Sequence, residues 1–282
     1  MRNLVNRVVQ ALRSLPRVDA INVPEVLDEN HIGAPFYRNL DPRDFALRLR
    51  DHAEAEIIVN KVVVHLASER AFRNWLSDTM SIFGLRNVVC VGGTSHHLRY
   101  PGPTVVEANR MLRDEARAAH VDDATCGNIT IPDRPGEAAR LLTKTRAGCD
   151  FAATQVLFDA APMKSLLAAY DERCRAAGIE PAAVLLSFAP VSDYADVEFL
   201  RWLGAPISNG MESRLLDTQA GVAEASVQVA VDLWRDIRGF VDEESLAVPL
   251  GINVEVVSAH NFDLAMEMAK RLAATEVAAR PT

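Results

Sequence analysis

One amide stands out in residues 141–159, LLTKTRAGCDFAATQVLFD. The first half has helical spacing and stops at Gly148. The second half is an apolar run that carries Gln155 toward its C-terminal end. Strands of a parallel sheet are covered on both faces and are rich in Val, Ile and Leu. A Gln there must find hydrogen-bond partners or suffer a desolvation penalty. At the C-terminal end of a strand in an α/β barrel, the usual partner is a ligand. Glu255 raises a related question inside INVEVV. A carboxylate in an apolar strand has a raised pKa and can donate a proton; the plainer reading is an edge position or an internal ion pair.

The other apolar runs also end in polar groups. Glu25 follows the run at 19–24, and Asn60, Lys61 and His65 fall within 57–66. Thr94, Ser95, His96, His97 and Arg99 follow 87–92. Asn128 and Thr130 lie in 124–131, and Asp159 closes 150–158. Ser192, Asp193 and Tyr194 follow 183–189, while Asn253 and His260 flank Glu255. Such groups would converge on the C-terminal mouth of a barrel, although loops are polar in any case. Lys144, taken alone, reads as a solvated lysine on a helix face. The sequence holds no phosphate-binding loop, no GxGxxG opening a helix, no HExxH and no cysteine cluster. His96-His97 lack an evident third ligand, so no metal site is expected.

To place these groups the chain repeats one unit: helix, glycine, apolar strand. It occurs at Gly84, Gly148 and Gly178, and more weakly at Gly204. Glycine suits the left-handed position that ends a helix. Strands are predicted near 19–24, 57–66, 87–92, 124–131, 150–158, 183–189 and 249–257. Helices are predicted near 3–15, 42–53, 69–83, 104–119, 135–147, 161–177, 193–203, 217–240 and 262–274, with Ser68 and Asp193 as N-caps. The alternation argues for βα units and a parallel sheet. The expected fold is α/β, a TIM (β/α)8-type barrel occupying 1–282 as one domain, since such barrels take about 250 residues; a doubly wound sheet is the alternative. Residues 205–209, with Pro206, are a short candidate for an eighth strand. Because the chain opens on a helix, the barrel lacks or replaces its first strand. An open barrel leaves two unpaired edges, to be closed by 205–209, by another chain, or by residues upstream of Met1.

The 282 residues are 49% hydrophobic and 24% charged, with a net charge of −8. That is an ordinary globular composition, and without a basic patch nucleic acid is not an expected partner. No apolar run reaches the roughly 18 residues of a membrane span. The amphipathic start, MRNLVNRVVQALRSLP, lacks the apolar core of a secretory signal. Cys90, Cys126, Cys149 and Cys174 form no CxxC pair and read as buried free thiols in a cytoplasmic protein.

At LLTKTRAGCDFAATQVLFD the chain resembles the methylenetetrahydrofolate reductase family. Its members carry a Lys, an Ala-Gly, a short spacer and a Thr-Gln strand ending in Asp. Here these are Lys144, Ala147-Gly148, Thr154-Gln155 and Asp159. The resemblance continues through Pro190-Val191-Ser192 and Tyr194, includes His65-Leu66, and covers most of 55–275. It implies a TIM barrel that reduces 5,10-methylenetetrahydrofolate to 5-methyltetrahydrofolate, in one-carbon metabolism and methionine biosynthesis. NAD(P)H would be the co-substrate and FAD the cofactor of most members. It further implies that Gln155 contacts folate, that Tyr194 stacks on folate or nicotinamide, and that Lys144 lies near the flavin phosphates. The candidate substrate contacts are Gln155, Tyr194, Asn128 and His65; the candidate cofactor contacts are Lys144, Thr94 and His260.

The departures from that family are specific. Its first strand carries a catalytic Glu that no strand here matches, which leaves Glu255 or Glu25 as candidate proton donors. Gly93-Thr94-Ser95 stands where flavin-dependent members have Arg-Gly-Asp, and the family's Tyr-Pro-Glu is replaced around Asn128. The segments INVPEVLDENHIGAP and INVEVVSAH resemble the short actinobacterial-type reductases, which pass hydride from NADH to folate without flavin. The alternatives are a non-catalytic folate-binding paralogue, or a subunit whose barrel is completed by a second copy or a partner chain.

Overall fold

The computed structural model describes residues 2–29, 35–38, 41–94 and 97–278. Two of the strands, β2 (Leu27–Glu29) and β3 (Pro35–Arg38), form a small antiparallel ladder. The others are β1 (Ala20–Val23), β4 (Glu56–Val62), β5 (Asn87–Val91), β6 (Thr125–Thr130), β7 (Phe151–Thr154), β8 (Ala183–Phe188) and β9 (Leu250–Val254). In the sheet these seven follow one another in chain order. Packing divides the chain into two compact units.

The first unit comprises residues 1–13, 18–129 and 143–151. It contains α1 (Arg2–Leu12), α2 (Pro42–Arg50), α3 (Glu69–Ser81) and α4 (Val105–Ala118). Its strands are parallel, with Val23 opposite Val59, Val59 opposite Val88 and Val88 opposite Cys126. Leu49, Val59, Phe72, Leu76 and Leu112 fill a single core. Each such side chain contributes about 1.5–3 kcal/mol relative to exposure. Ser68 caps α3 by accepting from the Ala71 N–H. Thr104 and Glu107 close a reciprocal capping box on α4, satisfying donors that a helix start leaves orphaned. Gly127 in β6 admits Phe151: a Cβ there would stand 2.3 Å from the Phe151 Cζ.

The second unit comprises residues 14–17, 130–142 and 152–282. It holds α6 (Ala161–Ala177), α7 (Tyr194–Trp202), α8 (Asn209–Leu216), α9 (Val222–Glu243) and α10 (Phe262–Ala278); α5 (Glu137–Arg146) is shared between the units. Tyr170, Leu186, Phe188, Leu200, Ile237 and Met268 lie in its core. The Tyr170 hydroxyl accepts from the Ala182 N–H at 2.7 Å, so the buried phenol is satisfied. β8 and β9 are parallel, with Ser187 opposite Asn253. α6 ends at Gly178, whose φ of 64° is the left-handed conformation expected there. All four free thiols are buried, two of them in each other's neighbourhood in the first unit.

Seven of the eight strands of a closed barrel are present among the described residues. The expected eighth, at 205–209, is not one. Pro206 has no N–H to give, the Ile207 N–H turns back to the Ala205 carbonyl, and Ser208 caps α8, a helix the sequence reading did not foresee. β1 pairs with β4 and β9 with β8, and no described strand covers their other sides. Three expected strands also stop short. β4 gives way to a 3-10 turn at Val63–His65, β7 ends at Thr154 and β9 at Val254. His65, Gln155 and Glu255 therefore sit just past their strands rather than within them.

Candidate functional site

In the first unit, polar groups gather where β1, β4 and β5 end. Glu25, after β1, accepts from the Val62 N–H at 2.7 Å and pairs with the Lys61 ammonium at 2.5 Å. Glu29, on β2, takes more. It accepts from the Thr94 hydroxyl at 2.6 Å, the Tyr100 hydroxyl at 2.8 Å and the Thr94 N–H, and it meets His65 Nε2 at 2.8 Å. Burial alone would raise the Glu29 pKa; these hydrogen bonds outweigh it and hold the carboxyl below its ordinary range. The His65 side chain is 4% exposed, and its Nδ1 has no partner among the described residues. A Tyr100 ring stands edge-on to it at 5.5 Å.

Two further candidates in this unit face inward. Asn128 is fully buried: its Nδ2 donates to the Cys90 carbonyl and to Asn109 Oδ1, and its Oδ1 accepts from Asn109 Nδ2 at 2.8 Å. Its amide is thus committed to the interior, as befits a polar group with no water. Lys144 reaches back to donate to the Ile129 carbonyl at 2.7 Å. It is a tether between helix and strand, not the solvated lysine expected from its position alone. Ser95 and His96 lie outside the described residues.

In the second unit, a hydrogen-bonded chain crosses the strand ends. The Ser187 N–H donates to the Thr154 hydroxyl, and Asn253 Nδ2 donates to Ser187 Oγ at 2.9 Å and to Glu255 Oε1 at 3.1 Å. The register explains it, because Ser187 and Asn253 are paired across β8 and β9. Glu255 continues the ladder through its N–H to the Phe188 carbonyl. Burial pushes its carboxyl above the ordinary value, and the hydrogen bonds from Ser187 and Asn253 only partly offset that. Gln155 begins the turn after β7. Its Oε1 accepts from the Val156 N–H and its Nε2 donates to the Leu203 carbonyl at 2.9 Å, which leaves one N–H and one lone pair.

Tyr194 opens α7 and is 54% exposed, so its ring is available to stack. Behind it lies Asp196, 3% exposed at the side chain. It accepts from the Ser192 N–H and hydroxyl, both at 2.7 Å, and from Asn261 Nδ2 at 2.8 Å, and it meets His260 Nε2 at 3.1 Å. Burial opposes its ionisation, but these partners, Asn261 foremost, lower its pKa. Asp193, Asp196 and His260 bring ligand atoms within 4.8 Å of one another, a spacing that could hold a metal ion. The Asp196 oxygens are already occupied by protein donors, and Asp193 caps α7.

The structure therefore sorts the sequence candidates into two sets. Glu25, His65, Thr94, Asn128 and Lys144 belong to the first unit; Gln155, Tyr194, Glu255 and His260 belong to the second. The sequence reading missed Glu29, Ser187 and Asp196. A polar residue within AVLLSF is the same signal that picked out Gln155, so Ser187 was within reach.

No protein-family model matches the chain, and neither does any curated protein. A solved structure does: an uncharacterised protein from Clostridium thermocellum that binds two copies of 5-methyl-5,6,7,8-tetrahydrofolic acid. The TM-score is 0.77 with 17% identity, over 97% of this chain and 89% of that one. At such identity the likeness shows a shared fold.

Proposed function

We propose that the chain binds folate and acts as a methylenetetrahydrofolate reductase, passing hydride from NAD(P)H to 5,10-methylenetetrahydrofolate to give 5-methyltetrahydrofolate. The observation that carries this reading is Glu255, a carboxyl whose pKa burial raises, held at a strand end by Asn253 and Ser187. Protonating a ring nitrogen opens the methylene bridge to an iminium, whose carbon then accepts the hydride. Glu255 supplies that proton, Gln155 orients the pterin with its remaining N–H and lone pair, and Tyr194 stacks on a ring. The fold shared with a folate-binding protein supports the substrate class, and the two folates of that protein support more than one folate-sized site.

Two of the residues expected near a flavin are engaged within the protein, which favours the flavin-free reading. Thr94 gives its N–H and hydroxyl to Glu29, and the Lys144 ammonium gives one of its three donors to the Ile129 carbonyl. In this reading hydride passes directly from the nicotinamide to the folate. Folate binding without turnover is the second reading, favoured by a neighbour described only by what it binds.

The test is NAD(P)H oxidation by the full chain with methylenetetrahydrofolate, beside folate affinity. Glu255→Gln is expected to lower kcat by about 10²–10⁴, the usual worth of a general acid, while leaving folate affinity within a few-fold. Tight folate binding without nicotinamide oxidation would replace catalysis by the second reading. Absence of both would refute the assignment.

A further inference from the structure

We infer that Ser258 is a nucleophile with His260 as its base and Asp196 as the group that orients the base, so that the second unit can also hydrolyse unhindered carboxylic esters with good leaving groups. None of the three has a role in the hydride transfer proposed above. The Ser258 hydroxyl lies 2.5 Å from His260 Nδ1, and His260 Nε2 lies 3.1 Å from Asp196 Oδ1. A nucleophile within hydrogen-bond reach of a base, itself held by a third group, marks such a site on any fold. Access follows the same order. The His260 side chain is 57% exposed and Ser258 is partly exposed, so an ester can reach both, while Asp196 stays buried behind them.

The partners fix where the protons are. Burial opposes ionisation of Asp196, but the hydrogen bonds from Asn261 and Ser192 lower its pKa. A carboxylate only accepts, so His260 carries its proton on Nε2. Nδ1 is then a lone pair, and the Ser258 hydroxyl donates to it, which is the tautomer a base needs. The hydroxyl is diverted to this contact. Ser258 precedes the 3-10 turn Ala259–Asn261, where a serine ordinarily caps the N–H groups that follow, yet it makes no capping bond. Asn261 secures both ends of the row: its N–H donates to the Ser258 carbonyl and its Nδ2 to Asp196. The Ala259 N–H, next in the chain after Ser258, has no acceptor among the described residues and is left to meet a developing oxyanion. In acylation the bond from Ser258 Oγ to the carbonyl carbon forms as the proton passes from Oγ to Nδ1. The bond to the leaving oxygen then breaks, and that oxygen takes the proton. Water that gives its proton to the same Nδ1 attacks the acyl-Ser258 ester, releasing a carboxylic acid and restoring the hydroxyl.

The test mixes the full chain with p-nitrophenyl acetate, follows p-nitrophenol and locates the acetyl group by peptide mass. A burst of p-nitrophenol with acetyl on Ser258 is expected. Both should be lost in Ser258→Ala, and acylation should slow by about 10²–10⁴ in His260→Gln, the usual worth of a general base. These two positions are reached by solvent, so both variants should keep the wild-type urea midpoint. Asp196 acts only through His260, and its readout is the ring proton: nitrogen-15 spectra should place that proton on Nε2 in the wild type and lose the preference in Asp196→Asn. A wild type without acetyl on Ser258 would overturn the assignment. So would an unchanged acylation rate in His260→Gln, or a ring proton that lies on Nδ1 or ignores Asp196→Asn. Folate affinity, measured on the same protein, stands or falls separately.

Discussion

Replacing Asp196 by alanine isolates the energetics of the loop that presents Tyr194. The substitution leaves the Ser192 N–H and the Asn261 amide without their acceptor, and Asn261 is 1% exposed, with no water to turn to. The Ser192 hydroxyl belongs to a partly exposed residue and can find water. Two stranded donors at about 1–3 kcal/mol each predict a loss of about 2–6 kcal/mol, a large share of the roughly 5–15 kcal/mol that holds a typical protein together. The pH dependence gives a second check. Asp196 has a depressed pKa in the folded chain. Its contribution is therefore full above the ordinary aspartate value and is lost as pH falls through the folded one. Urea unfolding at neutral pH and at stepwise lower pH measures both: the gap between wild type and Asp196→Ala should be widest at neutral pH and shrink in acid. The titratable groups facing Asp196 are Asp193 and His260, so Asp193→Ala serves as the reference. It removes only a helix cap, worth about 0.5–2 kcal/mol. A penalty below about 1 kcal/mol at neutral pH, or one that stays constant into acid, would refute the reasoning.

Two further predictions concern the first unit. Gly127→Ala drives a Cβ to 2.3 Å from Phe151 and 2.7 Å from Val89 Cγ2, so it should cost about 1–3 kcal/mol in denaturant unfolding, and adding Phe151→Val should recover part of that. No recovery would place the strain elsewhere. Glu29→Ala should speed amide hydrogen exchange at Thr94, whose N–H it accepts, while leaving the amides of β8 unchanged; equal acceleration in β8 would mean a global loss instead.

Much of the frame was legible because it depends on local rules. The glycines at 84, 148, 178 and 204 all take positive φ, and Ser68 and Asp193 both cap helices. Strand ends were less legible. Apolar composition continues past Thr154 through Val156, Leu157 and Phe158, which are buried as a turn and not as a ladder, so hydrophobicity alone overran β7. α8 was hidden because 205–209 was read as a candidate strand, whereas Ser208 within it is a helix cap. Glu29 was invisible for another reason: its partners Thr94 and Tyr100 are remote in sequence, and only the paired β2 and β3 bring it to them. The Asn128 strand position was found, but its role turned on Asn109, a helix residue that no strand pattern would single out.

The four hidden thiols make the chain its own reporter of opening. Thiolate is the form that reacts with alkylating and disulfide reagents. The Cys126 thiol is pushed well up by its hydrogen bond with Cys90 and by burial, and burial pushes up Cys149. The folded protein should therefore be nearly silent to such reagents, and each modified cysteine records an excursion away from the folded state. Cys90, Cys126 and Cys149 fall in the first unit and Cys174 in the second. The mass of a partially labelled peptide would thus tell which half of the chain breathes first, without the introduction of any probe.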